Sequence, residues 1–171
     1  LPIVHDIVHD MANATDWASL HHVIDVGCGP GVIAHALAGH APQATVTALD
    51  SSSPLLARVQ ARASAEGWAH RSATVEADLD HPLPPLPAAD VIWASMVLHH
   101  VTEPPATLAV LREQLRPGGM LVVVEFAGPA AVLPPDDPLV ASGAWARLQA
   151  LTADVICERL GRDPRQMHWP Q

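Results

Sequence analysis

The sequence has no Lys, no Tyr, one Phe and two Cys, and the shortages of Lys and Cys each exclude something. Without Lys, all nine basic residues are Arg; they face 18 acidic ones, for a net charge of −9. A chain built to grip a phosphate backbone shows the opposite balance, so no nucleic-acid partner is expected. No apolar run approaches the roughly 18 residues that a membrane-spanning helix needs, so no membrane partner is expected either. The N-terminus lacks a positively charged region followed by an apolar stretch, so no secretory signal is read. It opens at Leu1 rather than Met, as a processed or truncated chain would. Cys28 and Cys157 lie far apart, without CxxC or zinc-ribbon spacing, and read as free thiols of a reducing cytoplasm. His5 and His9 share one helical face in HDIVHD, but no Glu stands between them as in the zincin HExxH. That pair reads as a polar face, and no metal is expected.

What is present is a core. The 171 residues are 49% hydrophobic and 16% charged, which suits one domain and excludes a disordered chain. Residues 22–27 (HVIDVG), 44–50 (ATVTALD), 72–77 (SATVEA), 90–95 (DVIWAS) and 120–126 (MLVVVEF) read as strands. Residues 32–39, 54–66 and 105–115 read as helices, with Ser51, Ser52 and Ser53 as natural caps before Pro54. RPGG at 116–119 is a helix stop, and HPLPPLPAA at 81–89 is a stiff loop. Nearly continuous apolar strands that alternate with helices predict a doubly wound parallel α/β sheet. The expected layout is a single domain, residues 1–171. It has an N-terminal helical segment (1–20), a core (21–127), and a proline-rich connection leading to a C-terminal helix over 139–160 (128–171 together).

The first turn carries the chemistry. It reads Asp25-Val26-Gly27-Cys28-Gly29-Pro30-Gly31 between a buried strand and a helix. Glycines there let the backbone bend and let a ligand approach without striking a Cβ. The following helix offers unpaired N–H groups to an anionic group. A dinucleotide fingerprint, GxGxxG, needs Gly at position 32, where Val32 stands, so a nicotinamide cofactor is disfavoured.

This turn resembles the first motif of the class I S-adenosylmethionine-dependent methyltransferases, small-molecule branch. Four further stretches resemble that family in order. They are Asp50 at the end of strand two, EADL at 76–79, DVIWASMVLHHV at 90–101 and LREQLRPGGMLVVVEF at 111–126. The resemblance implies a Rossmann-like fold and S-adenosylmethionine as cofactor. It assigns cofactor binding to Asp25, Gly27, Cys28, Gly29, Gly31, Asp50, Ser51, Asp78, Leu79 and Ser95. Asp25 would help hold the methionine amino group, Asp50 the ribose hydroxyls and Asp78 the adenine amino group. His99 and His100, after strand four, are the candidate proton carriers, and Glu125 is a weaker polar candidate. Asp90 is expected to organise the start of strand four rather than touch ligand. Trp93 and Met96 are expected in the core or pocket wall.

The family sheet normally closes with an antiparallel hairpin, which this sequence does not show. Truncation, or a partner such as a second copy in a homodimer, is therefore expected at strand five, whose bare edge is a liability. The implied function is methyl transfer to a small organic acceptor, in the cytoplasm. The alternative is a non-catalytic cofactor-binding or interaction module on the same fold.

Overall fold

Strings of Val, Ile and Ala become strands because their side chains can be buried on both faces of a sheet that helices cover. The computed structural model describes residues 15–125, 134 and 136–160. Strands β1 (His22–Val26), β2 (Thr45–Asp50), β3 (Ser72–Glu76), β4 (Ala89–Ser95) and β5 (Leu115–Val124) form one sheet. Their order is β3-β2-β1-β4-β5 and every pairing is parallel. Helices α1 (Val32–His40), α2 (Ser53–Ala65) and α3 (Pro104–Glu113) lie in the crossovers. This is the doubly wound sheet that the alternation predicts.

One face carries Val23, Val46, Ala48, Val91 and Trp93, packed with Leu37, Ala38, Val59 and Trp68 into the core. Ile24, Val26, Leu49 and Ile92, on the alternate positions, are equally buried. Each such side chain contributes about 1.5–3 kcal/mol by leaving water. The order reverses between β1 and β4. In open α/β sheets that reversal opens a crevice at the carboxyl ends of the strands.

The other end of the sheet is locked. Asp90 opens β4 and accepts hydrogen bonds from the backbone N–H groups of His21 and His22, at 2.7 and 2.9 Å. Its carboxylate also takes both arms of the Arg116 guanidinium, at 2.7 and 2.8 Å. Asp90 thus organises the start of β4, as expected. Arg71 closes α1 in a similar way, donating to the carbonyls of Ala38, Ala41 and Ala44. The Ala38 carbonyl, in the last turn of α1, has Pro42 four residues on and so no helical donor, and a cation there also suits the helix dipole.

Three local expectations are corrected. β5 begins at Leu115, not Met120: Ala89 pairs with Leu115 and Val91 with Met120, so residues 116–119 bulge from the strand. The bulge forms because Gly118 adopts φ +80° and Arg116 is held by Asp90. The serine run does not cap α2 through its hydroxyls. Ser52 makes no side-chain cap, and the Ser53 hydroxyl donates to Glu76 instead. The C-terminal helix is divided into α4 (Pro138–Ala141), capped by the Asp137 side chain, and α5 (Ala144–Leu160).

The chain divides into two compact units, Leu1–Val124 and Glu125–Gln171. Of the expected N-terminal helical segment, only a 3-10 turn at Trp17–Ser19 falls among the described residues. His5, His9 and His168 lie outside them, as does the Cys157 side chain. Among the described residues, no strand pairs with the far edge of β5.

Candidate functional site

The site is built from the loops that leave the carboxyl ends of β1, β2, β3 and β4. After β1 the chain must turn sharply into α1, and it does so with Gly27, Gly29 and Gly31 all at positive φ. Gly27 is required by packing: a Cβ there would stand 2.3 Å from Val97 Cγ2. Gly29 is different. A Cβ on it would meet nothing within 4 Å among the described residues, which leaves that side open to a ligand.

Two carboxylates bracket this turn. Asp25 is 1% exposed, near the end of β1. The Ala34 N–H, in the first turn of α1, donates to its carboxylate, but Oδ2 has no partner among the described residues. Burial, chiefly, pushes its pKa from 3.8 to about 8, with the Asp50 charge adding to the rise against that hydrogen bond. Asp50, at the end of β2, accepts from the Gly29 N–H and the Ser52 N–H, each at 2.9 Å. It therefore ties the glycine turn to the start of α2. Its side chain is only half-buried, and lone pairs remain on both oxygens.

Cys28 sits in the turn, but its side chain is 5% exposed and packs in the core with Ala34, Val46 and Leu56. Burial first, then the Asp25 and Asp50 charges, pushes its thiol up to about 12. It is no nucleophile. Only its backbone can serve the turn.

Asp78 and half-buried Leu79 follow β3. Asp78 accepts from the Asp80 N–H at 3.0 Å and pairs with His81 Nδ1 at 3.2 Å. Ser51 is exposed and Ser95, at the end of β4, is half-buried. Next comes Met96, the only described non-glycine residue at positive φ (56°), with its N–H donated to the Val124 carbonyl at 2.8 Å. Met96 is half-buried in the loop, while Trp93 is wholly in the core. Such backbone costs about 1–3 kcal/mol and gathers at functional sites. It delivers Val97 beneath Gly27 and starts the 3-10 turn Leu98–His100. His99 is half-buried and His100 exposed, with their rings 4.0 Å apart. Glu125 is half-buried, one residue past β5.

Thus, at the carboxyl end of the sheet, Gly29 and Asp50 are directly bonded, Asp25 feels the Asp50 charge, and Gly27 meets Val97, which the His99–His100 turn follows. Asp78 and Leu79 share that end of the sheet without a direct bond to the turn. Sequence reasoning missed the left-handed Met96, the Val97 contact and the tie between Asp80 and Thr102. None of these leaves a local pattern, since each depends on two loops meeting. Two surface depressions measure about 510 and 460 Å³. The first, away from the turn, is lined by Leu108, Arg112, Leu121 and Val123, the second by Pro30 of the glycine turn with Arg58, Arg62 and Glu66. Among the described residues no group of three or more His, Cys, Asp or Glu can hold a metal ion. No helix among them is long and apolar enough to cross a membrane.

A model of the methyltransferase domain family matches residues 24–121 of this chain. The chain is 37% identical over 142 residues to "Uncharacterized methyltransferase Mb0092" of Mycobacterium bovis, covering 82% of this chain and 61% of that protein. It is also 37% identical over 119 residues to "Aclacinomycin 10-hydroxylase RdmB" of Streptomyces purpurascens, covering 68% of this chain and 31% of that one. The chain therefore spans less than two thirds of the length of these relatives. The fold is shared with coclaurine N-methyltransferase, solved with N-methylheliamine and SAH. The TM-score is 0.61 at 19% identity, over 71% of this chain and 34% of that one.

Proposed function

The chain belongs to the methyltransferase domain family and carries its class I fold, and on that premise we propose that it transfers a methyl group from S-adenosylmethionine to a small organic acceptor. The observation that carries this reading is the open glycine turn at the switch point. Among the described residues, a Cβ on Gly29 would meet no atom within 4 Å and the buried Asp25 Oδ2 has no partner. The half-buried Asp50 carboxylate holds the Gly29 N–H. Those features fit a ligand with an ammonium group and vicinal hydroxyls.

When bound, S-adenosylmethionine supplies a methyl group already activated by its sulfonium. In the proposed site Asp50 takes the ribose hydroxyls and Asp78 the adenine amino group. Asp25 holds the first turn of α1 in place through the Ala34 N–H and would help hold the amino-acid end. The backbone of residues 27–31 would hold the ligand, together with Ser51, Leu79 and Ser95. Because the methyl group is activated beforehand, orientation and exclusion of water can supply most of the acceleration. His99 and His100 stand where a proton leaving the acceptor can be held or moved.

The test is titration of the chain with S-adenosylmethionine. Asp50→Ala is expected to weaken binding by about 1.5–3 kcal/mol, the scale of hydrogen bonds to a charged group. Unchanged affinity in the folded variant removes Asp50 from the site. A second reading, a module that binds the cofactor without methyl transfer, is favoured by the similarity to a protein named as a hydroxylase. One fold can host several chemistries. Binding of S-adenosylmethionine with no product across a panel of small hydroxyl, amine and carboxylate acceptors would favour that reading. Binding of NAD instead would overturn both.

A further inference from the structure

The loops after β3 and β4 are separated by 22 residues in sequence, yet one side chain ties them together. The Asp80 carboxylate accepts the Thr102 N–H on Oδ1 at 2.6 Å and the Thr102 hydroxyl on Oδ2 at 2.8 Å. Two residues earlier, the Asp78 carboxylate accepts the Asp80 N–H at 3.0 Å, and the Asp78 carbonyl accepts the His81 N–H at 3.0 Å. Asp78, Asp80 and Thr102 therefore form one continuous chain of bonds. Beyond Thr102 lie the buried Val101 and the turn Leu98–His100, whose His100 N–H donates to the Val97 carbonyl at 2.9 Å. Val97 in turn packs under Gly27.

We propose that Asp80 is a positioning residue: by clamping Thr102 it fixes the Asp78 loop and the His99–His100 turn as one unit, so that seating the donor at Asp78 also orders the acceptor side.

This rests on the donor-site reading above and deepens it. The physical argument is one of ordering cost. Both loops are exposed at their tips, and each would otherwise lose backbone freedom separately when a ligand binds. A carboxylate that takes two donors from one residue removes much of that cost beforehand. Its bonds are also charge-assisted, the stronger kind. An amide in the same place keeps both contacts, since its oxygen accepts the Thr102 N–H and its nitrogen donates to the Thr102 hydroxyl.

The experiment titrates the full chain with S-adenosylhomocysteine, which needs no acceptor. Amide hydrogen exchange is followed over residues 97–103 with and without that ligand. Asp80→Ala is expected to weaken binding about tenfold, within the range by which residues between two sites alter their coupling. Asp80→Asn should bind within about threefold of the unaltered chain, because it keeps both bonds. In the unaltered chain and in Asp80→Asn, the ligand should slow exchange at Thr102 and His100; in Asp80→Ala it should not. Should Asp80→Ala fail to fold, Thr102→Val gives the same test by deleting only the hydroxyl bond. Equal affinity and equal ligand-induced protection in Asp80→Ala or Thr102→Val would overturn the clamp while leaving the donor site standing. An unaltered chain that binds no S-adenosylhomocysteine would overturn the donor site, and the clamp with it.

Discussion

Two buried aspartates stand at opposite ends of the same sheet, and their surroundings differ in kind. At the amino end, Asp90 has both oxygens engaged: two backbone N–H groups and both arms of Arg116 converge on it. At the carboxyl end, Asp25 is the more deeply buried of the two, yet Oδ2 has no partner among the described residues. A buried polar atom left unpaired costs about 1–3 kcal/mol. The contrast continues around each. Near Asp90 the left-handed backbone is a glycine's, Gly118 of the β5 bulge, whereas near Asp25 three glycines and the non-glycine Met96 adopt it. One end is built to hold the fold together. The other keeps strain and unmet bonding capacity, the property expected where a ligand will complete the set.

The largest test of this contrast is Asp90→Ala. It strands two backbone N–H groups and a guanidinium, which is itself partly open to water. The loss of folding stability is expected to be about 2–4 kcal/mol in urea denaturation, with S-adenosylmethionine affinity unchanged in the folded protein. A loss of affinity there would break the division of labour.

Gly29→Ala should do the reverse. The added methyl meets no atom of the described residues within 4 Å, so the fold should lose only the left-handed penalty of about 1–2 kcal/mol. Affinity for S-adenosylmethionine should fall at least about tenfold, 1.4 kcal/mol, in calorimetric titration.

Asp25→Asn sharpens the comparison through pH. With a carboxyl pushed from 3.8 up to about 8, folded Asp25 retains its proton where unfolded Asp25 has lost it. Its contribution to stability is whole below pH 3.8, falls as pH rises, and is exhausted above about 8. The Cys28 thiol, pushed up to about 12, stays protonated across this window. Stability measured from pH 5 to pH 8 should therefore fall in the unaltered chain by more than in Asp25→Asn. Equal slopes would mean that Asp25 is not the group responsible.

The smallest expected effect concerns His99 and His100. General-base removal typically costs 10²–10⁴-fold, but an activated methyl group needs a base only when the acceptor must lose its proton early. Each histidine changed singly to Ala should lower kcat by less than about tenfold. A thousandfold drop in either, with fold and cofactor affinity intact, would identify that residue as the base.

The sequence made the sheet readable because β1, β2 and β4 are short apolar runs closed by Gly, Asp or Ser, patterns whose cause is local. The glycine turn and Asp50 were readable for the same reason. The start of β5 was not. RPGG ordinarily stops an element, and only the reach of Arg116 to Asp90, 26 residues away, lets the strand resume through a bulge. The serines before α2 look like caps, but Asp50 and Glu76 compete for their groups. The tie between Asp80 and Thr102 carried no signal at all, since it forms only when two loops fold beside each other.

The hydrogen bond from His22 to Asp90 spans 68 residues of chain. During synthesis at ~5–20 residues per second, β1 would leave the ribosome about 3–14 s before the strand that covers its second edge. β2 arrives sooner, but it can occupy one side only. A newborn chain thus carries a half-finished apolar strand for seconds, and closing that interval costs roughly 4 kcal/mol of loop entropy. Refolding from denaturant should accordingly be slow, and crowded conditions should favour intermolecular pairing through β1 before native topology is reached.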